Sequence, residues 1–198
     1  MERISMAMLR QIAQLGHPVL RTPAAAVELP ASDEVRALIA DMLATLEDAN
    51  GVGIAAPQVY RPDALFIVAS RPNPRYPNAP LMTPEVVINP EIVERSDEQL
   101  RDWEGCLSIP GIRGLVPRHR HIRVRYQTIE GRTVERAFDD FAARIFQHED
   151  DHLRGIVFLD RLESTRDVVT EKEYQKLIAR PASEEAAKAP GPRGTGPT

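Results

Sequence analysis

Between Asp33 and Asp48 the apolar residues Val35, Leu38, Ile39, Met42, Leu43 and Leu46 fall at offsets of 0, 3, 4, 7, 8 and 11, which trace one face of an α-helix. Ser32 or Asp33 can cap its start, and Asn50-Gly51 can end it in a left-handed turn. A second helical stripe begins at Asp139 or Asp140 and carries Phe141, Ala142, Ile145, His148, Glu149 and His152, with Arg154-Gly155 closing it. Polar residues on that stripe are the anomaly, because an unpaired imidazole or carboxylate on a buried face costs free energy. These histidines therefore need a partner. Thr170-Glu171-Lys172-Glu173 has capping-box spacing and opens a last helix to about Ala179.

Other stretches read as strands. Ala64 to Ala69 is a continuous apolar run, Val86-Val87-Ile88 starts a strand that stops at Asn89-Pro90, and Ile92 to Arg95 resumes it. Ile122 to Tyr126 alternates apolar and charged residues, and Glu130-Gly131 turns it into a hairpin with Thr133 to Phe138. Ser70 to Pro84, with five prolines, reads as a long loop, and Trp103 to Gly111 as an ordered loop or bulged strand. The charges of Arg118-His119-Arg120-His121 read as a solvated face, and Ile156 to Leu159 as a short strand. His17, ahead of Pro18 in a loop, is assigned no role.

Composition narrows the class. A chain of 198 residues, 42% hydrophobic and 27% charged, fits one globular domain with an appendage. Residues 1–179 are expected to form it, and 180–198, rich in Pro, Gly and Ala, to stay disordered. A net charge of −4 leaves no global basic field for a nucleic-acid backbone. No apolar run approaches the ~18 residues of a membrane span, and the first residues lack the apolar core of a secretion signal; the expected location is the cytoplasm. Arg3, Arg10 and Arg21 among Ile4, Met8, Ile12 and Leu15 give the first stretch only a faint transit-segment character.

The chemistry concentrates in Gln147-His148-Glu149-Asp150-Asp151-His152. Histidines four apart on a helix project from one face and can grip a single ion while Glu149 stands beside it. Cys106, the only cysteine, cannot form an internal disulfide and lies in a Gly/Pro-bounded segment able to approach that ion. Three protein ligands leave one position open, as in catalytic rather than structural sites. A fourth ligand from His119, His121 or Asp151 would instead make the site structural. Gly51-Val52-Gly53 permits close backbone approach, but follows a helix rather than a strand, which disfavours a dinucleotide loop.

Three stretches, Gly51 to Gln58, Glu104 to Ser108 and Gln147 to His152, resemble in order and separation the three motifs of the peptide deformylases. Gly16 to Arg21 and Ile88-Asn89-Pro90 extend the resemblance over about residues 10–175, while Ile54 stands where the first motif more often has Leu and Asp150 where the third more often has an apolar residue. The resemblance implies removal of the N-formyl group from the initiator methionine of nascent polypeptides, with release of formate. It implies Cys106, His148 and His152 as ligands of one divalent ion, usually Fe2+, with Zn2+, Ni2+ or Co2+ able to replace it. Glu149 becomes the general acid/base, and Gln58 and the Leu107 backbone N–H the oxyanion donors. Val52 and Gly53 are candidates for the edge of a pocket taking methionine, Asp151 for a residue behind the ligands or in a salt bridge, and the last helix for contact with a ribosome.

The expected fold is α+β: antiparallel strands packed around a central helix bearing H-E-x-x-H, with an outer N-terminal helix and a C-terminal helix. Two other functions share the helix motif. A metalloprotease fits H-E-x-x-H alone, but the upstream cysteine and the lack of a downstream ligand motif stand against it. A non-catalytic metal-stabilised binding module would need no Glu149.

Overall fold

Helix α1 (Asp33–Asp48) forms where its apolar stripe predicts it. The Ser32 hydroxyl accepts from the Val35 N–H, and Asn50, at φ 50°, turns the chain out of the helix ahead of Gly51. Leu38, Ile39, Met42 and Leu46 are buried against Ile54, Leu65 and Ile67, so one helix face closes one core cluster. The structure, a computed structural model, describes residues 7–179, and the tail expected from 180 onward lies outside them, as do Arg3 and Ile4. Residues 7–15 are not helical despite their apolar spacing. They run along α1, where the buried carboxylate of Asp41 accepts from the Met8 N–H at 2.7 Å and the Arg10 guanidinium at 2.9 Å. The burial of Asp41 is offset by donors from this preceding segment.

Strands β1 (Gly53–Ala55), β2 (Leu65–Val68), β3 (Glu85–Arg95), β4 (Gln99–Cys106), β5 (Ile109–His119), β6 (His121–Gln127), β7 (Thr133–Asp139) and β8 (Val168–Thr170) make two antiparallel sheets, ordered β1-β2-β3-β6-β7 and β4-β5-β8. Helix α2 (Asp140–Leu153) packs against β1, β2, β6 and β7 of the first sheet and β5 of the second. Its Phe146, fully buried, meets Phe66 edge-to-face at 4.9 Å and lies 5.2 Å from Phe138. Truncating such a ring typically costs about 3–5 kcal/mol, so this contact fixes how α2 sits on the sheet. Helix α3 (Glu171–Ile178) starts at Thr170, whose hydroxyl accepts from the Glu173 N–H, and buries Tyr174. The described residues are α+β, with antiparallel sheets and three α-helices, as the sequence predicts.

Three local expectations need correction, and one open alternative is resolved. First, β3 does not stop at Asn89-Pro90. Asn89 adopts φ 51° inside a bulge, its side chain bonding Val27 and Gln127, and Pro90 sits where the ladder has already lost a hydrogen bond. Second, of the two readings of residues 103–111 the bulged strand holds: they close the β4–β5 hairpin, with a register shift between Glu104 and Cys106. Third, Phe158–Arg161 is a 3-10 turn rather than a strand, held by the Asp160 carboxylate accepting from the Val157 N–H at 2.9 Å. Fourth, Arg118 is not solvated; it is 5% exposed, because β5 continues past Val116 and alternation turns both residues inward. His17, given no role, caps the 3-10 turn Pro18–Arg21 and meets Tyr60 edge-on.

Candidate active site

Helix α2 is buried on its polar as well as its apolar side: His148, Glu149, Asp150, Asp151 and His152 are each at most 9% exposed. One turn apart, the His148 and His152 rings have centroids 5.2 Å apart. The β4–β5 hairpin brings Cys106 Sγ to 3.3 Å from His152 Nε2. Ligating atoms of Cys106, His148 and His152 all lie within 4.8 Å of one another, close enough to share one ion. The other candidates are engaged elsewhere. His119 Nδ1 is 2.6 Å from the Ser96 carbonyl, His121 Nδ1 2.7 Å from Asp139, and Asp151 is held by Arg118 and Arg161.

Behind His148 lies Glu104, a buried carboxylate to which sequence reasoning gave no role. Its Oε2 accepts from His148 Nδ1 at 2.9 Å, which leaves Nε2 of that ring to face the ion. Arg118 forks onto the same carboxylate at 2.8 and 2.9 Å, and Arg144 adds a contact at 2.8 Å. Burial alone would raise the Glu104 pKa, but Arg118 and His148 outweigh it and hold the carboxyl well below the usual carboxylate range. Burial would likewise raise the Cys106 thiol, yet the His152 and His148 rings pull it well below its ordinary value, towards the thiolate that binds metals. His148, which burial would lower, is raised well above its ordinary value by Cys106 and Glu104. A sulfur anion and a carboxylate thus make a site that stabilises positive charge, and the donor set of one thiolate and two imidazoles fits a divalent transition-metal ion.

Glu149 stands apart from this network. Its Oε2 is buried without a hydrogen-bond partner among the described residues, and burial pushes its pKa up to about 7. A carboxyl poised there can take up and give back a proton near neutrality. Gly53 makes its room: a Cβ at that position would lie 2.4 Å from Glu149 Oε1 and 2.8 Å from Ile145 Cγ2. Beside it, Gln58 accepts from the Ala55 N–H through Oε1 at 2.8 Å, and its Nε2 reaches Ser108 Oγ at 3.1 Å and Cys106 Sγ at 3.5 Å. The side-chain amide is thereby oriented with its N–H groups towards the ligand loop.

A pocket of about 440 Å3, counted to its open mouth, joins these groups. Val52, Gly53, Gln58, Leu107, Cys106, His148 and Glu149 all line it, so every sequence-predicted site residue except His152 borders it, and His152 lies directly behind Cys106. Tyr76, Phe141 and Ile145 supply its apolar wall, and Arg75 reaches its mouth. Tyr76 is tied to the ligand loop, because its hydroxyl accepts from the Gly105 N–H at 3.2 Å. The signal for Phe141 and Ile145 was present, since both share the histidine stripe; nothing in the Pro-rich loop marks Tyr76. Glu104 and Arg118 carry only a weak sequence signal, namely charged residues in phase with inward-facing strand positions.

Comparison with known proteins agrees with this geometry. Residues 9–168 match the family model described as polypeptide deformylase. The chain is similar to a protein named Peptide deformylase 2 from Nostoc sp., 55% identical over 172 residues, which cover 87% of this chain and 96% of that relative. A second Peptide deformylase 2, from Shewanella oneidensis, is 46% identical over 175 residues, 88% of this chain and 92% of the relative. Among solved structures, a class I type b peptide deformylase from Acinetobacter baumannii with Met-Ala-Ser bound superposes with a TM-score of 0.77 at 48% identity, covering 79% of this chain and all of that one.

Proposed function

The chain belongs to the polypeptide deformylase family, metal-dependent hydrolases that remove the N-formyl group from nascent chains, and from that premise we propose which residues do the work and with which ion. Cys106, His148 and His152 hold one divalent ion through Sγ and two imidazole nitrogens. Fe2+ is the ion we favour, with Zn2+, Ni2+ or Co2+ able to replace it, since a soft thiolate with two imidazoles suits all four. When bound, such an ion lowers the pKa of water from 15.7 towards about 7 and polarises a carbonyl.

The residues then divide the labour. Glu149 accepts the proton of the water that attacks the formyl carbon. It delivers that proton to the amine nitrogen as the C–N bond breaks, so formate and a free N-terminus leave. Gln58 Nε2–H and the Leu107 backbone N–H donate to the carbonyl oxygen as charge develops on it. Val52, Gly53, Phe141 and Ile145 border the place of the methionine side chain, and burial keeps bulk water from the Glu149 carboxyl. Met-Ala-Ser, bound by the Acinetobacter protein, is the kind of peptide such a pocket releases. No helix among the described residues is long and apolar enough to cross a membrane, and action on nascent chains in the cytoplasm is part of the proposal.

One observation carries this assignment: the buried Glu149 carboxyl, whose Oε2 has no partner among the described residues, faces the pocket lined by Cys106 and His148, two of three convergent metal-binding side chains. The test is formate release from formyl-Met-Ala-Ser alongside analysis of bound metal. Stoichiometric ion with no formate would overturn the assignment, and cleavage of internal peptide bonds instead would favour a peptidase.

A further inference from the structure

Asp151 lies in the H-E-x-x-H run but on a different side of α2 from the pocket, and the chemistry above leaves it without a task. It is 3% exposed, and its side-chain hydrogen bonds come from two arginines. Its Oδ2 accepts from Arg118 Nη1 at 2.6 Å, and Oδ1 and Oδ2 accept from Arg161 at 2.5 and 3.0 Å. Arg118, 5% exposed, spends its remaining donors on Glu104, and Glu104 in turn holds His148 Nδ1. A continuous path of buried, charge-assisted hydrogen bonds therefore runs from Asp151 through Arg118 and Glu104 to a metal-binding ring.

The buried charges of this network balance only if Asp151 is counted; Arg161, which also pairs with it, is 43% exposed and screened by solvent. Two buried guanidinium groups, Arg118 and Arg144, surround one carboxylate, Glu104, and would leave one uncompensated positive charge behind the ion. Asp151 neutralises it. We propose that Asp151 is a positioning residue for the metal centre: it anchors the Arg118 fork so that Glu104 stays aimed at His148 Nδ1, and it cancels positive charge that would otherwise repel the ion. This rests on the assignment of Cys106, His148 and His152 as ligands. A purely structural ion pair between α2 and β5 would stabilise the fold equally well yet leave ion affinity untouched, and that contrast makes the proposal testable.

The experiment uses the full chain loaded with Co2+, in wild type, Asp151→Asn, Asp151→Glu and Arg118→Lys forms. Ion retention is read by chelator competition and ligand geometry by the visible absorption bands of the bound Co2+. Removing a group that orients a ligand from behind typically weakens metal affinity 10- to 100-fold. We expect a loss of about tenfold in Asp151→Asn, with altered Co2+ bands and partial recovery in Asp151→Glu. Arg118→Lys keeps the charge but cannot span Glu104 and Asp151 together, so it should lose ion retention by a similar factor, and the double variant no more than either. Unchanged retention and bands in Asp151→Asn, whatever its melting temperature, overturn the proposal. If that variant does not fold, unchanged retention in Arg118→Lys does so. A wild-type chain that retains no Co2+ would instead sink the ligand assignment and this inference with it.

Discussion

Two sides of α2 carry nearly the same chemistry to different ends. On one, Arg144, Gln147 and Asp151 are buried and fully engaged: Arg144 donates to Glu104 and to the carbonyls of Val116 and Leu100, and Gln147 exchanges hydrogen bonds with the His119 backbone. On the other, Glu149 Oε2 and His152 Nδ1 are buried with no partner among the described residues. Satisfied polar groups rigidify a fold, and unsatisfied ones raise its energy. The unpaired side is therefore the one held ready for another molecule, and the paired side is what keeps it from collapsing.

That contrast can be broken from either side. The largest effect is expected at Glu149→Gln: a fall in turnover of about 10²- to 10⁴-fold, with ion content and melting temperature retained, because the side chain gives up proton transfer and no native hydrogen bond. A comparable loss of melting temperature would move Glu149 to the structural side. Arg144→Ala should do the reverse. Leaving Glu104 short of a partner and three carbonyl groups short of a donor typically costs about 3–5 kcal/mol, read by denaturant unfolding. Gln58→Ala is expected to slow turnover by about 10²- to 10³-fold with the ion still bound, and an unchanged rate would remove Gln58 from the oxyanion role.

The smallest effect concerns a charge pair behind the pocket wall, to which no step of the proposed reaction is assigned. Arg113, with a fully buried side chain, stacks between Tyr76 and Tyr174 at 4.7 Å from each ring and pairs with Glu171 at 2.7 Å. Burial would raise the Glu171 pKa, but the hydrogen bond and charge of Arg113 win and lower it. A carboxyl lowered by folding adds stability that is complete above its ordinary value of 4.5 and fades as pH falls below it. Glu171→Gln should therefore melt lower than wild type at pH 7, with the gap closing towards pH 3. A gap independent of pH would mean that the charge of Glu171 contributes nothing.

Much of this was legible in the chain. Helix α1 and helix α2 follow from apolar spacing, and the convergence of Cys106, His148 and His152 follows from the geometry an ion demands of residues four apart and of a lone thiol. Two of the errors share a cause, a contact distant in sequence, whereas the 3-10 turn at Phe158–Arg161 is set by the local Asp160–Val157 bond. Arg118 reads as a surface cation until Glu104, 14 residues earlier, and Asp151, 33 residues later, meet it. Asn89-Pro90 reads as a strand end until Val27, 62 residues upstream, takes up the Asn89 amide. Local pattern fixes which face is buried; it does not say which charge on that face will find its opposite.

Gly53 deserves a different kind of accounting from the residues around it. It donates no proton, ligates no ion and contributes no apolar area, yet a single added methyl would occupy the place of the Glu149 carboxyl. What it supplies is vacancy. An inventory of functional groups would pass over this position, although the buried Glu149 carboxyl has somewhere to stand only because of an atom that residue 53 lacks.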